Sequence, residues 1–184
     1  MSESLVSKSK FLSLVLRHKP EEIGLSLDAE GWAELDQLIQ LASDKGIALT
    51  RELVLEIVST SDKKRFVVDP TGERIRANQG HSIKVDLGLT PQQPPGTLFH
   101  GTATRFAASI RESGLLPGAR QHVHLSSAET TARDVGARHG SPVVLIVNAV
   151  DMHRDGHEFF LSANGVWLAN AVPPRYLRFP DEVE

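Results

Sequence analysis

No cysteine occurs anywhere in the 184 residues. That excludes a disulfide framework and any thiolate metal site, and it fits a reducing, cytoplasmic setting. No apolar run approaches the roughly 20 residues that a membrane-spanning helix requires, and the first residues lack the apolar core of a signal peptide, so no membrane segment is expected. An excess of positive charge is missing too. A net charge of -3 argues against the broad basic surface that wholesale nucleic-acid binding needs, so any such contact has to be local. Internal repeats and low-complexity tracts are absent. What remains is 40% hydrophobic and 23% charged, a composition suited to a folded protein of one large domain or two small lobes.

The cations are unevenly placed. Every lysine lies at or before Lys84, whereas from Val85 onward every cation is arginine. Gene composition accounts for some such bias; arginine also suits two-pronged phosphate binding. From Ser9, SKFLSLVLRHKP carries Phe11, Leu12, Leu14, Val15 and Leu16 on a helical stripe that stops at Arg17-His18-Lys19 before Pro20. Those cations complement the helix dipole, or the helix is a post presenting Arg17 and His18 to an anion. LSLDAEGWAEL is predicted as a short strand, a turn through Asp28 to Gly31, and a helix from about Ala33 to Ala42. Thr50 caps the next helix. Arg65 to Val68, a turn at Asp69-Pro70-Thr71-Gly72, and Arg74 to Ala77 read as a β-hairpin inside a locally basic stretch, 61–84. Helices followed by a hairpin suggest a winged helix by analogy.

Leu87 to Gly96, LGLTPQQPPG, is a stiff linker by composition. It separates an expected N-terminal lobe, 1–90, from a C-terminal lobe, 91–184. In the second lobe Leu98-Phe99-His100 is predicted as a strand end breaking at Gly101-Thr102. Ala103 to Ser113 is predicted as a helix with Phe106 and Ile110 inward, VVLIV from Val143 as a buried strand, Phe159 to Leu161 and Val166 to Leu168 as a hairpin, and Tyr176 to Phe179 as a last strand. The fold class expected is α+β. Trp167 is expected in the core, and His153 and His157 in a polar loop without a role.

Arg120 to Ser127, RQHVHLSS, stands out. As a strand it places Arg120, His122, His124 and Ser126 on one face, with Val123 and Leu125 on the other. Ser126 to Glu129 then reads S-x-x-E, a capping box opening a helix whose N–H groups suit an anion. Ser126 as a cap only, and the histidines as ordinary surface, is the plainer reading; Arg120 on the same face weighs against it.

Taken together, Arg17-His18, Asp62-Lys63-Lys64-Arg65-Phe66, Gln79-Gly80-His81-Ser82, His100-Gly101-Thr102, Arg120 through Ser126, Arg138-His139-Gly140 and Asn164-Gly165-Val166-Trp167-Leu168 form an ordered series. It resembles the NAD-dependent RNA 2′-phosphotransferase family across about Ser9 to Leu177. The resemblance implies a winged-helix-like RNA lobe, an ADP-ribosyltransferase-like NAD lobe, and a site in the cleft between them. It implies removal of an internal 2′-phosphate from tRNA-like RNA, with NAD as co-substrate and no metal, by a monomer needing no protein partner. By resemblance Arg17, His18, Arg65 and Arg120 are catalytic. His100, Gly101, Thr102 and Ser126 bind NAD. His81, Ser82, Arg138 and His139 are RNA contacts, with bracing of the hairpin the alternative role for His81 and Ser82 and helix termination the alternative for Arg138 and His139. Where protein-directed ADP-ribosyltransferases usually bring a glutamate, this chain has Val166; a carboxylate there would repel an anionic nucleophile. Rival readings are a metal-free RNA cyclic phosphodiesterase using His100-Gly101-Thr102 and His124-Leu125-Ser126, a His-x-His metal hydrolase, and a non-enzymatic winged-helix nucleotide sensor.

Overall fold

A computed structural model describes residues 3–180. The chain divides into two compact units, Met1–Gly88 and Leu89–Glu184, and both mix helices with small antiparallel sheets. The whole is therefore α+β.

In the first unit, α1 (Glu3–Arg17) buries Leu12, Val15 and Leu16 at the helical i, i+3, i+4 spacing, all at 0% exposure. They meet Leu35 and Leu38 of α2 (Leu35–Asp44) and Val54 and Ile57 of α3 (Arg51–Thr60) in one core. Thr50 caps α3 by accepting the Leu53 N–H at 3.2 Å. The sheet runs β1 (Ala33–Glu34), β3 (Arg74–Ala77), β2 (Phe66–Val68), with β2 and β3 as the expected hairpin. Asp69 organises its turn, accepting from Thr71, from the N–H groups of Glu73 and Arg74, and from the Arg74 side chain. Burial pushes its carboxyl upward, but those donors outweigh burial and hold it down at about 2.

Two expectations fail here. Residues 25–27 form no strand, and the helix predicted from Ala33 starts at Leu35. Ala33 and Glu34 are instead drawn into the sheet opposite Ile75 and Arg74. Asp28, accepting the N–H groups of Glu30 and Trp32, shapes the loop before them.

In the second unit, β4 (Thr97–Ala103), β6 (Pro142–Asn148) and β9 (Leu177–Arg178) form one sheet in the order β4-β6-β9. β5 (Val123–Leu125), β8 (Trp167–Ala169) and β7 (Phe159–Leu161) form another, in the order β5-β8-β7. Phe99 of β4 and Ser126 exchange both backbone hydrogen bonds at 2.8 Å, stitching the two sheets together. Leu98, Leu145, Val147, Met152 and Phe159 build the core between them.

β4 does not break at Gly101 but pairs regularly through to Ala103. Packing by itself requires a glycine here. A Cβ on Gly101 would sit 1.6 Å from the Ala132 carbonyl oxygen of α5 (Glu129–Gly136), and one on Gly136 would sit 2.6 Å from the Thr102 oxygen. Helix and strand touch backbone to backbone. The helix predicted from Ala103 is a 3₁₀ turn, Thr104–Phe106, followed by α4 (Ala107–Ser113). Phe106 is 42% exposed rather than inward, while Ile110 packs on the core. The last strand is shorter than expected because Tyr176 lies in the 3₁₀ turn Pro174–Tyr176. His153 lies on α6 (Ala149–Arg154), a helix the sequence reading missed, capped by Asn148 accepting from Asp151.

Candidate active site

In the first unit, α1 ends at the residues of interest, because Pro20 follows and opens a 3₁₀ turn, Pro20–Ile23. Arg17 lies over the Phe66 ring, 5.7 Å from its centroid, and donates through Nη2 to the Arg65 carbonyl at 3.3 Å. Arg65 is placed by the loop before β2. Lys64 there adopts the left-handed φ of 39°, and Asn78 spans the loop, its N–H bonding the Arg65 carbonyl while its side chain bonds the Lys64 carbonyl. Ser82 closes the arrangement: its N–H donates to the Arg17 carbonyl at 2.9 Å and its hydroxyl lies 2.9 Å from His18 Nδ1. Arg65 and His18 line one cavity of about 470 Å³. Three segments far apart in sequence thus converge on two arginines and a histidine.

His81 occupies the layer beneath. It is 1% exposed, and neither ring nitrogen has a hydrogen-bond partner among the described residues. Burial, with the Arg17, His18 and Arg76 charges adding to it, pushes its pKa down to about 4, so the ring is neutral. With its ring this covered, His81 presents little surface to a ligand.

In the second unit, the expected strand from Arg120 is only Val123–Leu125, but the alternation holds. Val123 and Leu125 are 3% and 2% exposed, and His122, His124 and Ser126 are half-buried. Arg120 precedes the strand in a turn, its N–H on the Pro117 carbonyl, and still reaches His124, with Nη1 2.8 Å from Nδ1. His100 Nδ1 is 3.0 Å from the His124 carbonyl. These contacts fix both tautomers. A carbonyl only accepts, so His100 carries its proton on Nδ1 and leaves Nε2 as an acceptor; a guanidinium only donates, so His124 accepts through Nδ1. Burial chiefly, and then the Arg120 charge, hold the His100 pKa below its usual value against the pull of the His124 carbonyl. Burial also lowers Arg120 and His122, and the His122 ring leans on Phe160 at 5.8 Å.

Ser126 does not cap α5. Its hydroxyl accepts the Ala128 N–H at 3.2 Å, and Ala128 occupies the cap position without a side-chain bond. The pairing of Ser126 with Phe99 holds it in the sheet and delays the helix. Thr102 is 6% exposed, and Gly101 is walled by α5. Arg138 and His139 are exposed on the 3₁₀ turn Ala137–His139 that continues α5. Among the described residues no group of three or more His, Asp or Glu is arranged to hold a metal ion.

A model of the family described as RNA 2′-phosphotransferase, Tpt1 / KptA family, matches residues 3–171. The chain belongs to that family. The probable RNA 2′-phosphotransferases of Rhodopirellula baltica and Hahella chejuensis are 56% and 55% identical to it, over 97% and 98% of this chain and 97% of each of theirs. That of Agrobacterium fabrum is 57% identical over 92% of this chain and 91% of its own. Within this Tpt1 / KptA chain the structure brings Arg17, His18, Arg65 and Ser82 into one cluster of the first unit. It brings His100, Arg120, His124 and Ser126 into one cluster of the second. Asn78 behind Arg65 escaped the sequence reading, as did the contact that Phe66, a residue of the quoted motif, makes beneath Arg17. Their signal, a Phe directly after Arg65 and an Asn directly after the hairpin, is ordinary core and turn chemistry until the fold closes.

Proposed function

We propose that this protein removes an internal RNA 2′-phosphate by transferring it to NAD. A phosphate oxygen attacks C1″ of the nicotinamide ribose; the glycosidic C–N bond breaks, and its electron pair leaves with neutral nicotinamide. The ribose 2″-hydroxyl then attacks phosphorus, the P–O bond to the RNA breaks, and the proton from the ribose hydroxyl ends on the RNA 2′-oxygen. The products are RNA with a free 2′-hydroxyl and ADP-ribose 1″,2″-cyclic phosphate. The observation that carries this reading is family membership across residues 3–171.

The residues have matching roles. Arg17, His18 and Arg65, with Arg120, are the cations we assign to the phosphate, where fixed donors stabilise the charge of the second step, each on the order of 10²-fold in rate. His18, its ring oriented by Ser82, is suited to carry the proton between the two oxygens. His100, with Nε2 as an acceptor, fits a ribose hydroxyl, and Ser126 and the backbone at Gly101-Thr102 adjoin it. On this reading the first unit is a winged-helix-like RNA lobe, with Ser82 as an RNA contact, and the second an ADP-ribosyltransferase-like NAD lobe, from which Arg138 and His139 also touch the RNA. The RNA is tRNA-like.

The meeting of His100 with His124 gives the cyclic phosphodiesterase reading one point in its favour. Both readings face the same test, incubation with a 2′-phosphorylated oligonucleotide and with a 2′,3′-cyclic phosphate, each with and without NAD. Loss of the 2′-phosphate only with NAD, with one nicotinamide released per phosphate, is the expected result. Hydrolysis of the cyclic phosphate without NAD would sink it, and tight binding without turnover would point to a sensor.

A further inference from the structure

The cavity that Arg65 and His18 line extends well past them, along the exposed stripe of α1. Val6, Lys10, Ser13 and Leu14 continue its wall. Counted from His18 these lie at i-4, i-5, i-8 and i-12, so they share one helix face. Lys10 sits eight residues from His18, or about 12 Å along the axis at 1.5 Å per residue. Every ionisable side chain that lines the cavity is basic: Lys10, His18 and Arg65. Val6 and Leu14, 37% and 39% exposed, are among the few large apolar side chains the protein leaves open, and they lie between and beside those cations. One sign of charge beside open apolar side chains matches the pattern of a nucleic-acid contact.

We propose that this stripe is a subsite for the single-stranded RNA flanking the reacting phosphate, Lys10 binding a backbone phosphate and Leu14 with Val6 taking the face of a base. This rests on the assignment of His18 and Arg65 to the 2′-phosphate. The RNA is covalently continuous with that group, so it has to leave the pair along some surface, and this one is continuous with them and carries the complementary charge. Aliphatic walls give no hydrogen-bond readout of the base, so the subsite recognises a strand without reading its sequence. An acidic peptide would match the cations and leave the apolar side chains unused.

The test uses the full chain and three 2′-phosphorylated RNAs: a dinucleotide, and oligonucleotides extended by four residues on the 5′ or on the 3′ side. Turnover with saturating NAD and binding by fluorescence polarisation are read in parallel. One extended RNA is expected to surpass the dinucleotide about three- to tenfold in kcat/KM and in affinity. Lys10→Ala should remove most of that ratio and lower the salt slope of binding by about 0.7, and Lys10→Glu should abolish the ratio. A length advantage that survives Lys10→Glu in full, or no advantage in the wild type, overturns the subsite. If no RNA is turned over but Lys10→Glu still erases the length dependence of binding, the subsite stands and the reaction assigned above falls.

Discussion

The Arg120 guanidinium meets the Nδ1 of His124, and the identity of that partner sets what the arginine can do. Held by an acceptor that carries no charge, the guanidinium keeps its full charge for an anion. Arg120→Ala is therefore expected to lower single-turnover phosphate removal by about 10² or more while NAD affinity, read by titration, stays within a few-fold. A large loss of NAD affinity would reassign the residue to the cofactor. His81 gives a second residue-scale outcome, in stability. Its folded pKa of about 4 lies below the unfolded value of about 6.5, so between those pH values the unfolded chain binds more protons. Stability is then lost as pH falls from about 6.5 to about 4, by roughly 3 kcal/mol at most, and levels off below. His100, shifted in the same direction, adds to the loss. His81→Leu should flatten the acid limb of urea-denaturation stability measured from pH 7.5 to 4.5; an unchanged limb would show that other groups dominate.

At the scale of elements, the contact of α5 with β4 is the tightest requirement in the second unit. Gly101→Ala would drive a methyl into the Ala132 carbonyl, and neither backbone has room to yield without unpairing β4 from β6. The expected cost is about 3 kcal/mol or more, seen as a lowered thermal midpoint. Gly96→Ala, with nothing within 4 Å, should leave the midpoint within about 1 °C by the usual scale of surface changes. The same contact gives Gly101 a packing role that the sequence did not reveal. A glycine after a histidine suits close ligand approach, and the chain alone gives no sign that a helix 31 residues later claims the space. The capping box at Ser126 failed for a related reason: S-x-x-E is a local signal, and the long-range pairing of Ser126 with Phe99 overrode it. The hairpin of β2 and β3 was legible because its turn is made by Asp69, Pro70, Thr71 and Gly72 themselves.

Across the whole molecule, charge sets the limits. With a net charge of -3, binding to RNA has to come from a handful of cations against a repelling background. The logarithm of affinity should then fall with the logarithm of salt at a slope of about -3 or shallower, corresponding to no more than roughly four phosphates at 0.7 each. RNA lacking the 2′-phosphate should bind much more weakly at moderate salt. A slope steeper than about -5 in a polarisation titration would reveal an extended basic track that these residues do not account for.

The amino-acid sequence alone determined the elements whose signals are local: the stripe and stop of α1, the Thr50 cap, the β2-β3 turn, and the buried strand from Val143. It also carried the ordered motifs by which the family is met. Tertiary structure decided everything that depends on partners far away in the chain. It joined Arg17 to the Arg65 carbonyl across 48 residues and His18 to Ser82 across 64, set His100 on the His124 carbonyl, buried His81, and pressed Gly101 against the backbone of α5. Side-chain tautomers, burial and backbone clearance are properties of what surrounds a residue, and that surrounding exists only once the chain has folded.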